Sequence, residues 1–132
     1  MKDESKIHSH SCGSIELAKR CRKALKQARK VIKDEANWTQ NVEARRADGS
    51  FCPPQSEEAV CWCTVGAIEK VTPEDSYVSD YAVRVLARAA GLYVTFSVWG
   101  DLGIWNDRST HAEVMAAFDK AIAKSNWYRT CY

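Results

Sequence analysis

A chain of 132 residues with 45% apolar side chains can form one domain with a real core. No stretch approaches the ~20 consecutive apolar residues that a membrane-spanning helix needs. The polar start, Met1-Lys2-Asp3-Glu4-Ser5-Lys6, lacks the apolar stretch of a secretory signal, and a net charge of +2 is modest for a nucleic-acid module. These features predict a cytoplasmic protein with no membrane partner.

In that setting the six cysteines (Cys12, Cys21, Cys52, Cys61, Cys63, Cys131) are expected to be reduced, several of them as core packing. Residues 1–13 show no periodicity and are expected to form a flexible arm, with residues 14–132 as a single helical domain. His8, His10 and Cys12 alternate as ligand-type residues, but no Cys-x-x-Cys pair elsewhere completes a zinc set. A polar tail is the expected reading, and neither a metal nor a cofactor is expected.

A first helix is predicted from about Ser14 to Glu35, with Leu17, Ala18, Cys21, Ala24, Leu25, Ala28, Val31 and Ile32 on one face. Trp38, Gln40, Val42 and Ala44 then alternate with polar residues, and Ala47-Asp48-Gly49 signals a turn, so a small hairpin is predicted over 38–51. Ser56, Glu57 and Glu58 precede an apolar run, predicting a helix over 57–71. Its positions 59–68 have almost no polar face, which places that helix at the centre of the fold. Thr72-Pro73-Glu74-Asp75 reads as a helix start, with Ser79 as the alternative, Val78, Ala82, Val85, Leu86 and Ala89 as the inner stripe, and Gly91 as the stop. Leu92 to Trp99 alternates weakly, as a strand would. Trp105-Asn106-Asp107 reads as a polar turn, and Thr110 with Glu113 as the capping box of a last helix. The fold class expected is mainly α, about four helices around the apolar helix 57–71, with α+β as the alternative.

Three constellations bear on function. Cys63, His111, Asn106 and Asp107 supply the residue types of a cysteine nucleophile with an oriented base. On the predicted helix, however, Cys63 lies roughly seven residues in, beyond the turn where the helix dipole lowers a thiol pKa. Trp38, Gln40, Asn106 and Asp107 form a candidate polar pocket, since an inward-facing amide must find partners in the fold or in a ligand. The third is a basic face. Lys19, Arg22, Lys23, Lys26, Arg29, Lys30 and Lys33 fall within about 120° of a helical wheel, with no acid between Glu16 and Asp34. Like charges at i,i+4, such as Lys19/Lys23 and Lys26/Lys30, cost about 0.2–0.5 kcal/mol per pair. Acids elsewhere in the chain or an anionic partner would relieve them.

Trp38-Thr39-Gln40, Ala44-Arg45-Arg46-Ala47-Asp48-Gly49, Trp62-Cys63-Thr64-Val65-Gly66-Ala67-Ile68, Trp105-Asn106-Asp107 and Thr110-His111-Ala112-Glu113-Val114 also carry a resemblance. In order and spacing they resemble a family of domains of unknown function in small proteins of bacteria, particularly actinobacteria, and their phages. The resemblance spans about residues 15–124. Arg46 stands where the family pattern often has an acid, and Ser109 where arginine is common. The resemblance implies no reaction and no ligand; its phage occurrence implies a host-interaction role by association.

The function expected is a non-enzymatic binding or regulatory protein that engages an acidic protein through the basic helix, as a phage-encoded inhibitor would in the host cytoplasm. The alternatives are a pocket or cysteine enzyme around Cys63, Asn106, Asp107 and His111, and a nucleic-acid module using the lysines.

Overall fold

The computed structural model describes residues 15–93 and 97–124. The arm at 1–13, with His8, His10 and Cys12, lies outside them, as does the middle of the strand predicted over 92–99. The described residues hold five helices and a two-stranded antiparallel sheet: α1 (Ile15–Val31), β1 (Ala44–Arg46), β2 (Ala59–Trp62), α2 (Thr64–Val71), α3 (Ser76–Ala89), α4 (Val98–Arg108) and α5 (His111–Ala123). The mainly α expectation holds, with a small β element.

α1 buries most of the predicted face, Leu17, Cys21, Ala24, Leu25 and Ala28, leaves Ala18 and Val31 half-buried, and ends at Val31, four residues before the predicted stop. A single 3-10 turn at Glu35–Asn37 follows, capped by Asp34, whose Oδ1 accepts from the Ala36 N–H at 3.0 Å. α1 packs on α2, α3 and α5, while α3 touches all four other helices. The α3 stripe read from the sequence, Val78, Ala82, Val85, Leu86 and Ala89, is buried throughout. Of the two predicted starts for α3, neither is used. Asp75 is the N-cap, accepting from the Val78 N–H at 3.1 Å, and Thr72 instead closes α2, its hydroxyl donating to the Ile68 carbonyl at 2.7 Å. Gly91 ends α3 as predicted. Its φ of +80° lets Leu92 N–H reach the Ala87 carbonyl and Gly91 N–H the Arg88 carbonyl, both at 3.0 Å.

The apolar helix predicted over 57–71 divides in two. Ser56 caps only a turn, its Oγ accepting from the Glu58 N–H, and Ala59–Trp62 is the strand β2. The helix starts at Thr64 with Cys63 as N-cap. An apolar run has no polar face from which to read its period, so strand and helix look alike in it. The difference shows at Val60, 45% exposed on the strand.

The hairpin predicted over 38–51 keeps its turn and changes its arms. Gly49 takes φ +89°, Asp48 Oδ1 accepts from the Ser50 N–H and hydroxyl, and Arg45 bridges Phe51. The main partner of β1 is β2, however, in the register Ala44↔Trp62 and Arg45↔Cys61, with a bulge before Arg46↔Ala59. Residues 38–43 form an irregular segment threaded along the start of α2. There the Glu43 carbonyl accepts from Cys63 N–H at 3.0 Å, and the Thr39 N–H donates to the Trp62 carbonyl at 3.0 Å.

The approach is so close that a Cβ on Gly66 would stand 2.1 Å from the Glu43 oxygen and 2.9 Å from its carbonyl carbon. Both are backbone atoms and cannot rotate away. Gly66→Ala is expected to lower stability by about 2 kcal/mol or more, read as a reduced urea midpoint; an unchanged midpoint would contradict this packing.

Candidate functional site

Trp105, Asn106 and Asp107 do not form the predicted turn. They are the last turn of α4, which is capped at its start by Ser97, and Ser109 closes it by donating its hydroxyl to the Trp105 carbonyl at 2.6 Å. The following residue, Thr110, caps α5 with both bonds of the predicted box: Glu113 N–H to Thr110 Oγ1 at 3.1 Å and Thr110 N–H to Glu113 Oε1 at 2.9 Å.

This corner places the Asn106 side chain in the interior with no exposed surface. Its Oδ1 accepts from the Trp38 indole N–H at 2.9 Å, from the Thr64 N–H at 3.0 Å and from the Thr64 hydroxyl. Its Nδ2 donates to the Thr39 carbonyl at 3.1 Å and to Asp107 Oδ1 at 3.2 Å. A primary amide has two donors and two lone pairs, and all are used. Gln40 turns the same way. Its Nε2 faces the carbonyls of Asn106, Asp107 and Ser109 at 3.0–3.2 Å, at the C-terminal end of α4. Asp107 Oδ1 holds the Asn41 N–H at 2.7 Å, fixing a φ of +76° there. Arg45 completes the bundle, donating to Thr39 Oγ1 and the Gln40 carbonyl from one side and to the Gly49 carbonyl from the other.

Trp38, Gln40, Asn106 and Asp107 therefore do meet, as the sequence suggested. The polar partners they need are supplied by the chain itself. Thr39, Thr64 and Arg45 complete the set; hydroxyls and arginines in short loops carry no periodic signal in the sequence. Asn106→Ala strands the Trp38 indole, the Thr64 amide and the Thr39 carbonyl together, and a loss of about 3–5 kcal/mol is expected in urea denaturation. A loss below ~1 kcal/mol would contradict the role given to this amide.

Cys63 and His111 are not brought together as a nucleophile and base. As N-cap of α2, not a residue deep in a helix, Cys63 accepts from the Gly66 N–H at 3.3 Å, and burial pushes its thiol up to about 11. His111 Nε2 lies 2.7 Å from the Ile32 carbonyl, which requires the Nε2–H tautomer, and the ring packs against Trp38 at a centroid distance of 5.6 Å. It fastens the end of α1 to the start of α5. Among the described residues no hydrogen bond joins the two side chains, and Cys21, Cys52, Cys61 and Cys63 are free thiols. No group of three or more His, Cys, Asp or Glu among the described residues can hold a metal ion.

Beside the amide bundle is a cleft of about 280 Å³, lined in part by Glu43, Cys63, Trp99, Gly100, Gly103 and Asp107. Glycines inside a helix cost about 1 kcal/mol each relative to alanine. Glu43 also meets Glu69 on α2. Burial, then the neighbouring Glu43 charge and a hydrogen bond between the two carboxyls, raise Glu69 to about 7. A carboxyl whose folded pKa exceeds its unfolded value contributes stability that is complete below the unfolded value and lost as pH rises through the folded one. The melting temperature is expected to fall between about pH 5 and pH 8, and to fall less in Glu69→Gln. An equally steep profile in the variant would assign the dependence elsewhere.

The basic face sorts by residue type. Arg29 pairs with Asp119 at 2.7 Å and Arg22 donates to the Ile122 carbonyl at 3.3 Å; Arg20, on α1 but outside that face, pairs with Asp75 at 3.1 Å. Lys19, Lys23, Lys26 and Lys30 are exposed along α1, and none has an ion-pair partner among the described residues. Lys33 is exposed too, but lies beyond the helix end and off the stripe that a longer helix would give.

No helix among the described residues is long and apolar enough to cross a membrane. No curated protein and no solved structure matches the chain. Residues 18–124 match a family of unknown function, DUF6197, and the chain belongs to that family.

Proposed function

We propose that the protein is a non-enzymatic binding protein whose lysine stripe on α1 docks the acidic face of a partner protein. One observation carries this reading: the arginines of α1 are engaged by their own chain, whereas Lys19, Lys23, Lys26 and Lys30 have no ion-pair partner among the described residues. Arginine's planar fork suits fixed internal pairs, and a lysine is a mobile point charge suited to a wet interface. The 4-3-4 spacing aligns the four ammonium groups over ~17 Å of helix, the reach of a few helical turns.

Acids bound the stripe: Glu16 at one end, Asp34 and Glu35 at the other. A duplex would run its phosphates past both ends against those carboxylates, whereas an acidic helix of matching length would not. That boundary favours a protein partner over nucleic acid. The raised thiol of Cys63 and the engagement of His111 elsewhere support a role without covalent chemistry. Within this reading the protein acts as a cytoplasmic regulator or inhibitor, directed at the host where a phage encodes it.

Calorimetric titration with a synthetic helical peptide bearing glutamates at complementary spacing, and separately with a short DNA duplex, tests the proposal. Lys26→Glu/Lys30→Glu is expected to weaken peptide binding by about 10-fold or more at unchanged melting temperature. Unaltered peptide affinity, or duplex binding that is tighter and falls steeply with salt, would overturn it.

A further inference from the structure

Gly100 and Gly103 have no steric reason within the described residues to be glycine. Gly49 and Gly91 need positive φ and Gly66 faces a carbonyl, but a Cβ on Gly103 would meet nothing within 4 Å, and one on Gly100 only the Ser97 side chain at 3.8 Å. Both lie in α4 and both open onto the 280 Å³ cleft. Across it stand Glu43, from the segment before β1, and Asp107, from the last turn of α4. Neither carboxylate has an ion-pair partner among the described residues, and Glu43 is pressed against a further carboxyl, Glu69. Lys70, next to Glu69 in sequence, is turned over the Trp62 ring at 5.1 Å. Trp99 forms another wall, its indole N–H fixed on Asp80 at 3.1 Å. Uncompensated negative charge, an anchored aromatic ring and space held open by two absent side chains thus coincide in one cavity.

We infer that this cleft binds a small organic cation, an alkylammonium or guanidinium group, with Glu43 and Asp107 as its counter-charges and its alkyl stem over Gly100 and Gly103 beside Trp99. Carboxylates give charge-assisted hydrogen bonds to such a head group, and an indole favours a neighbouring cation. The volume lies at the lower end for ligand pockets, which suits a short amine or a single basic side chain and excludes a nucleotide. The site is independent of the lysine stripe, whose charge would repel this ligand.

The test is a nitrogen-15 NMR titration of the full chain with n-butylammonium, with N-acetyl-arginine amide as a peptide-like source of the same chemistry, and with neutral n-butanol. Saturable shifts are expected at Asn41, Val65, Gly100, Gly103 and the Trp99 indole with at least one cation, and none with butanol. Saturation by butylammonium points to a free amine, and saturation by the arginine derivative alone to a peptide side chain. Gly103→Ala is expected to raise the melting temperature by ~4 °C and weaken binding by ~10-fold or more, since the new methyl helps the helix and fills the cleft. Asp107→Asn retains the acceptor for Asn41 N–H and is expected to weaken binding by a similar factor. Absence of saturation by either cation up to ~10 mM, equal binding of butanol, or undiminished binding by Gly103→Ala would overturn the inference.

Discussion

The carboxamide of Asn106 is wholly buried, and a buried amide is stable only when each of its donors and acceptors finds a partner. Here the partners come from three separate stretches of chain: Trp38 and Thr39 before the sheet, Thr64 at the start of α2, and Asp107 beside it on α4. The irregular segment 38–43 has no ladder of its own to satisfy its backbone. It is held by this amide, by Gln40 on the α4 carbonyls and by Asp107 on the Asn41 N–H. The position of that segment then fixes how closely Glu43 can approach Gly66, and so where α2 begins. Fold and cleft both follow from one side chain whose partners on other elements lie 42 to 68 residues away.

How much of this was legible depended on whether the signal was local. α1, α3 and α5 announce themselves through periodic apolar faces, and α5 through Thr110 and Glu113, which cap at close range. Ala59-Val60-Cys61-Trp62 offered only an apolar run, and its pairing with Ala44–Arg46 is a long-range choice that period cannot reveal. α4 was missed because two glycines and a Trp-Asn-Asp sequence, each disfavoured or turn-prone, sit in a helix that tertiary bonds stabilise. Gln40, Asn106 and Asp107 were picked out as needing polar partners, and they do have them. That most of those partners are backbone groups of the same small region is a property of the fold, invisible to spacing.

The same accounting separates structure from function among the charges. Arg20, Arg29, Arg45 and Arg46 each have an internal acceptor. The lysines of α1 and the carboxylates of the cleft do not have an opposite charge to meet among the described residues. Exposed charge costs little to leave unpaired, and the two proposals assign the charge at each of these places a ligand of opposite sign.

Asn106 locks the 38–43 segment into the body of the fold, and native-state hydrogen exchange tests that lock. The Trp38 indole proton and the Thr64 amide proton both rest on Asn106 Oδ1. Both are expected to exchange only through global unfolding, with the same denaturant dependence as amides in the middle of α3. Exchange of the indole proton through a local opening insensitive to denaturant would show that the segment moves independently and would contradict it.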